Sequence, residues 1–289
     1  MTERLEDISA RIDGIRKLGA VVNAMKSIAA ARAHLARGQV FAVDSYAATI
    51  AAAMARILSH DRPAPAPDPG EGAGTGTGKP GLLVFCAEHG FAGAFSEHVL
   101  DQIDPQNAPV SLFLIGTRGL SIATARGLTP QWSAPLPSHT PGIPKLADKI
   151  TTAIYAAVAE GRIDSLDVLF TGWKSAHPAL VRHRLFPIDL ADLPPATTEH
   201  PLTQLPDDTL IASLGQDYFN AQVCKAALHA FAAENQARME AMSSAASQIT
   251  RELETFQATL NRGRQEAITA EIIELGTGAA AGRRARAPR

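Results

Sequence analysis

The sequence predicts a mixed α+β and α/β fold: two long helices from opposite ends of the chain, paired antiparallel, with an α/β domain inserted between them. Three observations carry this. Every one of the 19 prolines except Pro288 lies between Pro63 and Pro206. Proline inside a helix costs ~3 kcal/mol, so both proline-free flanks can be helices and the centre is not one continuous helix. The flanks also repeat apolar residues at heptad spacing. The centre instead alternates short apolar runs with amphipathic ones, the pattern of a sheet with parallel neighbours and covering helices.

Residues 1–62 form the first helix. Leu5, Ile8, Ile12, Ile15, Val22, Met25 and Ala29 recur at steps of three or four, with Gly19 filling one seam position. Residues 207–282 form the last, with its seam at Met242, Ala246, Ile249, Leu253, Phe256 and Leu260. At 1.5 Å per residue that flank would run roughly 110 Å as a helix. It needs an equally long neighbour, and the other flank is the nearest.

Between them, residues 63–80 read as a linker that alternates stiff proline with loose glycine. Its end, GAGTGTGKP from Gly72 to Pro80, resembles a phosphate-binding loop but fails the pattern. The first glycine position is Ala73, the hydroxyl position is Pro80, and the strand follows the loop instead of preceding it.

The domain at 81–206 has strand-like runs GLLVFCA (81–87), VSLFLIG (110–116) and SLDVLFTGW (165–173). Helical stretches FSEHVLDQI, TRGLSIATARG and LADKITTAIYAAVAEG lie between them. HGFAGAF after the first strand lacks the dinucleotide-binding glycine spacing. The last residues, 283–289, form a basic tail, RRARAPR, of the usually solvated kind.

Composition excludes several classes. A chain of 289 residues, 46% hydrophobic with net charge −2, is globular and not a nucleic-acid binder. Cys86 and Cys224 follow no metal or redox spacing and suit a reduced, cytoplasmic setting. MTERLEDISARIDGIRK is not a secretory signal, and AATIAAAMA at 47–55 is too short to cross a bilayer. Membrane contact is therefore expected only through partners.

Candidate chemistry is thin. His177 and His183 share one face of an extended strand beside Arg184, but two histidines without a third ligand make a poor metal site. Glu88 and His89 follow the first strand, where α/β folds often hold ligands, yet no nucleophile accompanies them. No catalytic, metal or cofactor site is expected.

One stretch identifies a family. NRGRQEAITAEIIELGTGAAA, Asn261 to Ala281, closely resembles the C-terminal signature of the gamma subunit of F-type rotary ATP synthases. Ile268-Thr269, Glu271, Glu274 and Gly278-Ala279 fall in the family's pattern. ISARIDGIRKLGAVVNAMKSIAAARAHLARGQ resembles its opening helix, and ENQARMEAMSSAASQITREL and IGTRGLSIATARG are similar to further stretches. One segment departs: the family's Asp-Arg-Gly-Leu-Cys-Gly-Gly-x-Asn is here Glu88 to Ser96, EHGFAGAFS. This is a divergent member.

The resemblance implies a central rotor shaft coupling ion flow to ATP synthesis or hydrolysis, non-catalytic and without a cofactor, with a Rossmann-like inserted domain. Implied partners are the alpha and beta subunits of the catalytic hexamer, the epsilon subunit and the c-ring, at the cytoplasmic face of a bacterial inner membrane. Arg264, Gln265 and Thr269 match the family's contact with a beta-subunit loop; Met25, Lys26, Ile268 and Glu271 match its bearing surface. Six basic residues and one aspartate between residues 11 and 38 suit acidic loops on surrounding subunits. The rival from another class is a free coiled-coil adaptor with an α/β binding module.

Overall fold

The computed structural model describes residues 2–58, 78–103, 111–174, 177–188, 193–195 and 202–285. Most of the 63–80 linker and the last four residues of the tail lie outside these. The chain divides into two units, residues 1–28 with 240–289, and residues 29–239. Two helices, α1 (Thr2–Leu58) and α5 (Asp207–Ala285), contribute to both.

In the first unit the two helices run antiparallel. Leu5 lies against Gly263, the Arg11 guanidinium sits 5.4 Å from the Phe256 ring centre, and Gly19 faces Ile249. Each step forward along α1 is a step back along α5. Ile12, Val22, Met242 and Leu260 are buried in the seam, while Ile8, Ile15, Ile249, Leu253 and Phe256 are half-buried. The expected antiparallel pair is present, with the expected residues facing inward.

In the second unit, β1 (Pro80–Phe85), β2 (Ser111–Ile115), β3 (Trp132–Ala134), β4 (Ser165–Lys174) and β5 (His177–Phe186) make one sheet. Its order is β3-β2-β1-β4-β5, parallel except for the β4–β5 hairpin. Strand alternation divides the core. Leu82, Val84, Leu112 and Leu114 pack under α2 (Phe95–Leu100) and α3 (Thr117–Ala125). Leu83, Phe85, Phe113 and Ile115 pack under α4 (Ile143–Ala159) together with Phe219, Val223, Ala227 and Phe231 of α5. Helices therefore cover both faces, as parallel strands require.

Part of α1 is apolar enough in composition to pass as a membrane span. Its alanines have another use here: Ala29, Ala33, Ala36, Ala47 and Ala51 are buried, where small side chains allow close helix packing. Asp44 of α1 accepts from Lys225 and His229 of α5, at 3.4 and 3.2 Å.

Candidate functional site

The far end of α5 is built differently from its seam. With Leu5 against Gly263, the antiparallel register brings Thr2 level with about residue 266 at equal helical rise. Beyond it, no described part of α1 lies alongside. Ile268, Ile272, Ile273 and Leu275 are accordingly exposed, each by more than half. Arg264 and Gln265 are exposed too, and no described side chain pairs with either.

Thr269 donates its hydroxyl to the Gln265 carbonyl at 2.8 Å, which fixes its rotamer and leaves its oxygen lone pairs outward. Glu271 is exposed in the same stretch. Four large apolar side chains exposed within two turns of helix form an apolar patch of the kind that partners cover in other proteins.

Met25 and Lys26 stand elsewhere. Both are half-buried in the first unit. Lys26 lines a shallow groove with Arg16, Gly19, Asn23, Ser243, Ser247 and Thr250.

The loop after β1 is a structural junction. The Glu88 carboxylate accepts from the Thr117 amide at 3.0 Å, its hydroxyl at 2.8 Å and the Leu136 amide at 2.8 Å. It therefore ties β1 to the start of α3, where a negative charge is favourable. On the other side, buried Arg238 of α5 donates to the carbonyls of Gly90 at 3.1 Å and His89 at 3.0 Å, and pairs with Glu234. Glu234 also accepts from the His89 amide. The loop holds Phe91 exposed at φ 63°. Glu234 and Arg238 carry no role in the expectations from sequence. The signal was there: two opposite charges four residues apart inside an alanine-rich run.

The other candidate residues have structural partners. Lys79 donates its ammonium to the Gly161 carbonyl and its amide to Asp164, both at 2.9 Å, so it braces a turn. His183 packs edge-on against Phe170, while Arg182 and Arg184 turn outward to Asp167. Burial pushes the Cys86 thiol up to about 12 and Cys224 to about 11, so both favour the neutral thiol near pH 7. Among the described residues no group of three or more His, Cys, Asp or Glu could hold a metal.

The family model described as ATP synthase matches residues 4–281. The chain belongs to the ATP synthase family. An ATP synthase gamma chain from Moorella thermoacetica is 27% identical over 280 residues, covering 95% of this chain and 98% of that one. One from Parafrankia is 28% identical over 295 residues, covering 96% and 98%. Among solved structures, a chain of the Euglena gracilis mitochondrial ATP synthase (OSCP/F1/c-ring, rotational state 3) superposes with TM-score 0.68 at 13% identity, covering 100% of this chain and 98% of its own. A chain from the Tetrahymena thermophila central stalk and c-ring gives 0.53 at 17% identity, covering 78% and 99%. The fold expected from the two flanks and the alternating centre is the fold these chains share.

Proposed function

We infer that this chain is the central rotor shaft of an ATP synthase, a non-catalytic subunit that couples ion flow through a membrane rotor to ATP synthesis or hydrolysis in an alpha/beta hexamer. The observation that carries this is near-complete alignment with gamma chains over two long antiparallel helices flanking an α/β domain. A shaft turning inside other subunits must be stiff and slim, and a pair of long antiparallel helices with an apolar seam is both. The free adaptor explains the paired helices but not the match along nearly the whole chain.

Its partners are the alpha and beta subunits, the epsilon subunit and the c-ring. It is peripheral, and its proposed place is the cytoplasmic face of a bacterial inner membrane. The proposed domains are the helices at 1–62 and 207–282 as shaft, the linker at 63–80, the α/β domain at 81–206 and the tail at 283–289. Arg264, Gln265 and Thr269 are the proposed catch for a beta-subunit loop. Met25, Lys26, Ile268 and Glu271 are the proposed bearing contacts. Exposure of the α5 end and the unpaired Arg264 support the catch. The half-burial of Met25 and Lys26 leaves only part of each available to a surrounding subunit.

Affinity purification of the tagged chain from its own cells tests the reading. The expected result is a complex containing alpha and beta subunits with ATPase activity. Recovery of the chain alone, or with unrelated proteins, overturns it.

A further inference from the structure

Outside the shaft surfaces, one groove in the α/β domain is unexplained. It has a volume of about 600 Å³ and lies between α4 and Trp132 at the start of β3, with Phe113 of β2 behind it. β3 ends the sheet, pairing only with β2, so one edge of it has no sheet partner among the described residues. The floor is apolar: Trp132, half-buried and set against Phe113 at 6.5 Å between ring centres, with Ala153 and Ala156 from α4. The rim is basic, with Lys145, Lys149 and Arg162.

The placement of those charges is unfavourable without an occupant. Lys145 and Lys149 are one helical turn apart, and like charges at that spacing repel. Lys145 lies in the first turn of α4, which holds no acidic residue and where the helix dipole already disfavours a cation. Neither lysine has a carboxylate partner among the described residues. The one rim carboxylate, Asp148, is held by the Asn220 side-chain amide at 3.1 Å. Arg162 is oriented by Glu160 and Gln131.

We propose that this groove binds an extended acidic segment of another subunit of the assembled complex. Such a segment would lie along β3, with carboxylates on Lys145 and Lys149 and apolar side chains on Trp132. Three features select this occupant. A strand edge without a sheet partner among the described residues is completed by an extended chain, whose backbone groups pair with it. The apolar floor suits the apolar side chains of a strand, and an inorganic anion would leave it uncovered. The excess of cations over carboxylates on the rim selects acidic residues.

The proposal rests on the chain being a subunit of the complex, so its test is done in the purified complex with a control for that reading. A photo-crosslinking p-benzoylphenylalanine replaces exposed Thr152 on the groove lip, and a second preparation carries it at exposed Ile268. The expected result at Thr152 is an adduct with an Asp/Glu-rich segment of another subunit, identified by mass spectrometry. Adding Lys145→Glu with Lys149→Glu lowers that adduct about tenfold or more while the complex still assembles. Adducts at Ile268 but none from Thr152 to another subunit overturn the groove proposal and leave the shaft reading standing. Adducts from Thr152 only to lipid, or only to other parts of the same chain, also overturn it, as does a yield indifferent to the charge reversal.

Discussion

At the residue scale, Gly119 and Cys86 show how closely α3 approaches the sheet. A Cβ at Gly119 would stand 2.0 Å from the Cβ of Cys86 and 2.9 Å from its sulfur, closer than any pair of carbons can pack. Gly119→Ala must push α3 away from β1, and overpacking of this kind costs roughly 1–3 kcal/mol. Its thermal unfolding midpoint should fall by several degrees; an unchanged midpoint refutes the close approach. The same packing silences Cys86, whose thiol burial pushes from about 9 up to about 12. Below pH 9 the thiol is neutral whether the chain is folded or not. From there to about pH 12 the unfolded chain releases the proton and the folded chain keeps it, so this group makes stability fall as pH rises. Iodoacetamide at pH 8.5 should therefore modify Cys86 only after unfolding in guanidinium, as read by mass spectrometry. Rapid labelling of the native chain would contradict the burial.

At the scale of elements, the helix pair makes a clean comparison, because buried and exposed leucine-sized residues stand within two turns of one helix. Ile12 is buried in the seam, whereas Leu18 is more than half exposed. Truncating a buried isoleucine costs about 2–5 kcal/mol through lost transfer energy and a cavity. Ile12→Ala should weaken the helix pair by an amount of that order in denaturant unfolding, while Leu18→Ala stays within ~0.5 kcal/mol of the parent. Equal effects would place the seam elsewhere. This seam was legible in the sequence because a 3.5-residue period survives over many turns. β1 and β2 were legible as apolar runs, and β4 as a mostly apolar one despite Asp167 and Thr171. β3 was not: WSA is three residues between prolines Pro130 and Pro135, too short to show a period. β5 was read only as an extended face carrying two histidines. Its actual division, His183 inward and Arg182 and Arg184 outward, depends on pairing with β4. The partners in long-range pairings of that kind, including the His89-Gly90 backbone bound by Arg238, are not readable from local pattern, even where the Glu234–Arg238 spacing marks one side.

At the scale of the whole molecule, a shaft acts by presenting different contacts at different angles to identical neighbours. The differential contact energy has to come from a few directional groups, since apolar contact is nearly indifferent to angle. Arg264 and Gln265 have the needed chemistry, and both are exposed without described partners. They sit one turn from Thr269, whose hydroxyl is already committed to the Gln265 carbonyl. The available donors are therefore the guanidinium and the glutamine amide. A charge-assisted hydrogen bond contributes about 1.5–3 kcal/mol, and 1.36 kcal/mol is a tenfold change in rate. That suffices to decide which of several like sites closes at a given angle. The neighbouring apolar residues Ile268 and Ile272 would keep the shaft seated when the polar catch is removed, so assembly should not depend on it. Arg264→Ala with Gln265→Ala is thus expected to leave the complex intact by size-exclusion chromatography and to lower its ATP turnover severalfold. An intact double mutant with unchanged turnover, and unchanged torque in single-molecule rotation, would remove these two residues from the coupling path.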